Sequence, residues 1–271
     1  MKLFSRIIKY IYSFVFARPG MQFLNDKILQ LAFFGRGYNN FSTYNLTGET
    51  KLIKLLSKFN PKYCIDIGAN KGNFSKYLLE NTNSEVIAFE PLPKAFAHLN
   101  NLENEYPNRF TAINKGAGEF STMLDLNFGA EDSEFASFSK EVNKISYVGS
   151  NNIHSISVEV IRMDDYFIKH IENSIEIDLL KIDTEGFEFE VLKGALKLIE
   201  RCKPKFIQIE FNWHQLFKDV SLYKISCLLK NYDVYQLLPY GSGLVKRDVL
   251  SPEANIYHFS NFVFIRSDIS I

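Results

Sequence analysis

Four acids in this chain stand at or near the ends of short apolar runs: Asp66, Glu90, Asp183 and Glu210. The first opens Asp66-Ile67-Gly68-Ala69-Asn70-Lys71-Gly72, set between a strand-like stretch (63–65) and a helix-like one (74–79). A glycine turn between strand and helix lets backbone N–H groups approach a ligand, and the helix N-terminus adds positive potential there. A second strand-like run, Val86-Ile87-Ala88-Phe89, ends in Glu90, an acid placed to accept both hydroxyls of a ribose. The glycines do not follow the G-x-G-x-x-G spacing of a dinucleotide site. Plain tight turns use the same glycines, so this loop alone leaves both readings open.

The next constellation is Asp178-Leu179-Leu180-Lys181-Ile182-Asp183-Thr184-Glu185-Gly186-Phe187-Glu188, continued by Val191-Leu192-Lys193-Gly194-Ala195. An apolar strand delivers Asp183 at its carboxyl end, and Glu185 follows at the start of a helix. Acids in a first helical turn are favoured by the dipole, which gives Glu185 and Glu188 a purely structural explanation. Asp183 faces the crevice where ligands of open α/β sheets bind. Glu210 ends a later strand, and Phe211-Asn212-Trp213-His214 follow it.

Asp-x-Gly-x-x-x-Gly with a strand-ending Glu resembles the S-adenosylmethionine site of class I methyltransferases. The Lys181-Ile182-Asp183-Thr184-Glu185-Gly186-Phe187-Glu188 block followed by Val191-Leu192-Lys193-Gly194-Ala195 resembles, more narrowly, the FkbM family of methyltransferases. That likeness extends over Phe89-Glu90-Pro91, Met163-Asp164-Asp165 and Ile209-Glu210, covering roughly residues 60–265. It implies that Asp66, Gly68, Asn70 and Gly72 surround the methionine end of S-adenosylmethionine. Glu90 binds the ribose, Pro91 shapes the turn after it, and Gly116-Ala117 passes beside the adenine. It also implies O-methylation of a hydroxyl on a sugar, glycan or secondary-metabolite acceptor. Such a hydroxyl must meet the methyl group in line and lose its proton, so positioning and a general base are the levers. Asp183, Glu185, Glu210 and His214 are the catalytic candidates, with an ordinary loop histidine the competing reading of His214. Asp183 with Glu210 and Asn212 also forms an oxygen set that suits Mg²⁺.

From residue 50 the chain alternates strand and helix patterns, the signature of a parallel sheet covered on both faces. The spacing predicts helices at 51–58, 71–81, 92–103, 187–201 and 221–231, with a short one from Asp164. It predicts strands at 63–68, 85–90, 110–117, 158–161, 177–183, 206–211, 233–238 and 261–266, around an irregular excursion over 120–156. The expected fold is a class I methyltransferase (Rossmann-like) doubly wound, seven-stranded α/β sheet with an N-terminal helical extension. Residues 46–271 form the methyltransferase domain and residues 1–45 the basic amphipathic extension.

The chain has 271 residues with 31 basic and 31 acidic side chains, so no global field draws it to nucleic acid. The three cysteines, Cys64, Cys202 and Cys227, are scattered and suit a reduced, cytoplasmic protein. The first forty residues differ: Lys2, Arg6, Lys9, Arg18, Lys27 and Arg36 face the single acid Asp26. Their apolar stretches are shorter than the ~20 residues of a membrane span. Residues 1–40 are therefore expected either to pack on the domain or a second subunit, as in a homo-oligomer, or to lie on the anionic inner face of a membrane. Two rival classes stand beside the methyltransferase reading: an inactive binding module of the same fold, and a nucleic-acid methyltransferase. Intact Asp66, Gly68, Gly72, Glu90 and Asp183 oppose the first. The second is opposed by the lack of a basic patch on the catalytic part.

Overall fold

The computed structural model describes residues 2–41, 44–129, 136–140, 144–170 and 175–271. Its elements in order are α1 (Lys2–Phe16), α2 (Gln22–Gly35), α3 (Tyr44–Thr47), α4 (Glu49–Ser57), β1 (Tyr63–Ile67), α5 (Asn73–Asn81), β2 (Glu85–Phe89) and α6 (Pro93–Glu105). Next come β3 (Phe110–Ile113), β4 (Gly116–Gly118), β5 (Thr122–Phe128), α7 (Ser146–Gly149), β6 (His154–Arg162), α8 (Met163–His170), β7 (Leu179–Ile182), α9 (Glu188–Gly194) and α10 (Leu196–Cys202). The chain closes with β8 (Phe206–Phe211), α11 (Leu222–Ser226), β9 (Tyr232–Leu237), β10 (Leu244–Lys246) and β11 (Ser260–Arg266).

The main sheet runs β10-β9-β11-β8-β7-β1-β2-β3. Strands β3, β2, β1, β7 and β8 are mutually parallel, and β11 lies antiparallel between β8 and β9. Every residue of β7 and β8 is buried, as expected for parallel strands covered on both faces. One apolar layer centres on Ile67, Phe89, Ile182 and Ile209, the other on Leu52, Phe74, Leu78 and Leu99. Winding reverses between β1 and β7, so the ligand crevice of this sheet class opens at their carboxyl ends. The fold is the expected Rossmann-like class I methyltransferase architecture with N-terminal helices and a mixed sheet.

Several boundaries differ from the sequence expectation. The seven expected strands of the main sheet gain an eighth, β10, a three-residue edge strand antiparallel to β9. The single strand expected over 110–117 is two. Asn114 donates from Nδ2 to the carbonyls of Glu90 and Pro91, and the chain then leaves for a second sheet ordered β4-β6-β5. Much of the excursion over 120–156 is the antiparallel β5–β6 pair; its residues 130–135 and 141–143 lie outside the described residues. The helix expected over 187–201 is broken at Ala195. A Cβ on the preceding Gly194 would lie 1.9 Å from the carbonyl oxygen of Gly118, so the helix turns where it presses on β4.

The extension is also shorter than 1–45. Tyr38 is fully buried in the main core, and its hydroxyl donates to the Glu253 carbonyl. Asn39 N–H donates to the Phe259 carbonyl, and Ser260 Oγ to that of Gly37. The chain therefore joins the body near residue 36; among the described residues α1 and most of α2 stand outside it, with Phe33 and Phe34 at the end of α2 meeting His258 and Tyr240.

Candidate active site

Strand register brings three of the four acids and the first glycine of the loop into one row. Ile67 pairs with Phe89 and with Ile182, and Ile182 pairs with Ile209. Gly68, Glu90, Asp183 and Glu210 each follow one of these residues and sit level at the same end of the sheet. There they border a cavity of about 660 Å³.

One side is the glycine loop. Gly68 has φ +80°, and a Cβ there would lie 1.7 Å from the Asp183 carbonyl oxygen, so only glycine fits between β1 and the end of β7. Gly68 and Ala69 donate their N–H groups to the Phe89 carbonyl, closing the loop against β2. Glu90 is buried and accepts from Asn70 N–H on one carboxylate oxygen and from Leu92 N–H on the other. Burial pushes its carboxyl up to about 7, against the lowering effect of those two N–H groups. Each carboxylate oxygen keeps further acceptor capacity.

Gly68, Asn70, Glu90, Pro91, Gly116 and Ala117 all line the cavity. Asp66 and Gly72, expected around the methionine end of a cofactor, do not. Asp66 is buried behind the loop, accepting from Ser75 Oγ at 2.7 Å and lying 3.7 Å from Lys181 Nζ. Gly72, at φ +78°, faces Leu99 of α6, where a Cβ would come within 2.6 Å of Cδ2. Both residues hold the loop in shape.

The opposite side is acidic. Asp183, Glu185 and Glu210 each offer a carboxylate oxygen within 4.8 Å of the others. Glu185 has φ +50°, which separates it from the helix-stabilising acids after β7. Glu188 takes the structural role: its Oε1 accepts from the Thr184 and Gly186 N–H groups and its Oε2 from Gln215 Nε2. Glu210 is buried, accepts from Asn212 Nδ2 and lies near Asp183, Glu185 and Glu188. Its burial, then those charges, raise its carboxyl well above the usual range.

His214 is 2% exposed and lines the cavity, with Nδ1 3.2 Å from Glu185 Oε2. The approach makes no hydrogen bond, and neither ring nitrogen has a hydrogen-bond partner among the described residues. Burial lowers the imidazole to about 4, so His214 is neutral at neutral pH and the contact is not an ion pair.

Sequence reasoning missed several contributors. Lys181, buried in mid-strand, donates to Asp183 Oδ2 at 2.8 Å. Burial alone would lower its ammonium, but Asp183, Asp66 and Glu49 more than offset that and raise it. A lysine inside an otherwise apolar run was the available signal. Glu49, which begins α4, reaches the cavity and is held by Thr47 Oγ1 and Gln208 Nε2; nothing in its local sequence marks it. Leu126, Ala136 and Phe138, from the 120–156 excursion, also line the cavity, and a Cβ on Gly116 would meet the Phe138 ring at 2.8 Å.

These residues fit S-adenosylmethionine. A glycine cradle that admits no side chain, a buried acid at the second strand end and an apolar slot of Ala117, Leu126 and Phe138 match the parts of such a molecule. A family model described as Methyltransferase FkbM domain matches residues 66–233. Methyltransferase 1 of Beauveria bassiana is 29% identical over 144 residues, 49% of this chain and 57% of that protein. The hexuronic acid methyltransferase AglP of Haloferax volcanii is 29% identical over 167 residues, 61% of this chain and 64% of that protein. The matches thus span less than two thirds of the length of these two relatives. Among solved structures, the SAH-bound methyltransferase PaMTH1 of Podospora anserina aligns with a TM-score of 0.44 at 12% identity, covering 84% of this chain and 80% of that one. With the family model matched over more than half of its length, the chain belongs to the FkbM methyltransferase domain family.

Proposed function

We propose that this protein transfers a methyl group from S-adenosylmethionine to a hydroxyl of a sugar-type acceptor. One observation carries the reading: a nucleotide-type cradle and a cluster of proton-accepting groups share a single cavity. The likeness to a hexuronic acid methyltransferase supports a sugar acceptor.

The cofactor supplies an electrophilic methyl group on a sulfonium. The residues of this chain do the rest. The glycine loop, whose N–H groups bond within the protein, leaves room for the methionine end, and the Glu90 carboxylate binds the ribose, with Ala117, Leu126 and Phe138 against the base. Asp183, at the end of β7, lies between that cradle and the side of the cavity formed by Glu210, Asn212 and His214. Its carboxylate, oriented by Lys181, takes the hydroxyl proton as the new bond forms. Alternatively, Asp183, Glu185 and Glu210 would hold a divalent cation, which would supply Lewis-acid polarisation of the acceptor hydroxyl. The neutral His214 beside Glu185 supports either role, as a second proton acceptor or a fourth ligand.

The test is methyl transfer from labelled S-adenosylmethionine to uronic-acid-containing oligosaccharides, with the product's ether located by mass spectrometry. No transfer to any hydroxyl acceptor by a protein that binds the cofactor would overturn the O-methyl assignment. Chelator treatment separates the two roles of Asp183: activity lost and restored by Mg²⁺ supports the cation, and indifference supports the base.

A further inference from the structure

Outside the cavity, α1 and α2 depart furthest from the usual division of apolar inside and polar outside. At 3.6 residues per turn, Ser5, Arg6, Lys9 and Ser13 share one sector of α1, and Phe4, Ile7, Ile8, Ile11, Phe14 and Val15 the opposite one. The apolar sector is open: Phe4 is 71% exposed, Ile11 59% and Phe14 66%. Helix α1 meets α2 through Tyr12 Oη donating to Asn25 Oδ1 and Asn25 Nδ2 donating to the Phe16 carbonyl, which leaves this sector uncovered. No residue of α2 is buried, and Phe23 and Leu31 are largely exposed. A contiguous apolar face of this kind marks an interaction site.

Charge selects the occupant. Six cations against one acid fall within the first 36 residues of a chain that is neutral overall, so the remainder is net negative. Two hairpins of like charge repel, whereas an anionic lipid surface attracts each of them. Helix α1 has 15 residues, about 22 Å at 1.5 Å per residue, too short to cross a bilayer but suited to lie along one. Among the described residues no helix is long and apolar enough to span a membrane.

We propose that α1 and α2 form a docking hairpin that seats this protein on an anionic bilayer surface. Phe4, Ile7, Ile11 and Phe14 enter the acyl boundary, and Arg6 and Lys9 remain among the headgroup phosphates. Only residues 36–40 separate α2 from Phe41, which lines the cavity, so docking holds the acceptor pocket close to the lipid surface.

The test is flotation of the full chain with phosphatidylcholine vesicles, with and without phosphatidylglycerol. Binding is expected only to the anionic vesicles and should weaken with salt. Arg6→Glu with Lys9→Glu should weaken it by about 30-fold or more, at roughly tenfold or less per lost charge. Ile7→Asp with Ile11→Asp should abolish it while circular dichroism and thermal melting stay unchanged. Failure of the unsubstituted chain to float with anionic vesicles, or equal binding to neutral ones, overturns the proposal. So does a solution dimer that Ile7→Asp with Ile11→Asp converts to monomer without any vesicle binding, which would make the face a subunit contact.

Discussion

The hairpin and the cavity invert the ordinary partition of a folded chain in opposite directions. On α1 and α2, Phe4, Phe14, Phe23 and Leu31 stand in solvent, where each costs hydrophobic free energy. Around the cavity, Asp66, Lys181, Glu188 and Glu210 are buried, where each charge costs desolvation. The hairpin leaves its cost uncompensated within the chain, so its occupant must come from outside. The cavity offsets its own cost through internal pairs: Lys181 with Asp183 and Asp66, Glu188 with the N–H groups of its loop, Glu210 with Asn212. Substitutions should therefore act on folding in the cavity and hardly at all on the hairpin.

The largest effect expected is that of Lys181→Met. It leaves Asp66, Asp183 and Glu49 without their shared cation, and breaking a buried ionic set costs about 3–5 kcal/mol. Urea unfolding measures it; a loss below about 1 kcal/mol would mean that the buried acids are already neutral without the lysine. Next, Asp183→Asn keeps the shape and removes the charge. Methyl transfer should fall by about 10²-fold or more, with cofactor affinity little changed. A near-normal rate on a true acceptor would move the proton-accepting role to Glu185, Glu210 or His214.

Glu90→Ala should weaken S-adenosylmethionine binding by about 1–3 kcal/mol, because ribose hydroxyls lose a charged acceptor. Calorimetry on a folded variant checks it, and unchanged affinity removes Glu90 from the cofactor site. The same residue makes a prediction about pH. Its carboxyl rises from an ordinary 4.5 to about 7 in the folded protein, so between those values the folded state holds more protons. Stability from this group is therefore full below about pH 4.5 and is lost as the pH rises through 7. Glu90→Gln should flatten that decline in melting temperature, and parallel curves for the two proteins would contradict the burial assigned to Glu90. The smallest effect belongs to the hairpin: Ile7→Asp and Ile11→Asp should change unfolding free energy by no more than about 0.5 kcal/mol. A larger loss would mean that α1 packs against the body.

The row of site residues was legible because parallel strands of matched register end together. Once β1, β2, β7 and β8 are recognised from their apolar runs, Gly68, Glu90, Asp183 and Glu210 must stand side by side. Asp66 and Gly72 show the limit of that reasoning. Their spacing places them at the end of β1 and in the loop after it, but whether a side chain faces ligand or core depends on partners farther along the chain, Ser75 and Lys181 for one and Leu99 for the other. The roles of Glu185 and Glu188 diverge for the same reason. Three residues apart, they have the same local preference, and only the bonds from Thr184, Gly186 and Gln215 assign Glu188 to structure.

By itself the sequence determined the alternation of strand and helix, the glycine loop, the strand-ending acids and the unbalanced charge of the first forty residues. These follow from local pattern, since apolar periodicity and turn chemistry act over a few residues. Tertiary structure decided which acids meet at the cavity, that Glu49, Lys181 and Phe138 join them, that residues 110–118 divide between two sheets, and that the extension ends near residue 36. Each of these rests on contacts between distant segments, such as Gly118 against Gly194 or Gly37 against Ser260, whose geometry no local pattern encodes.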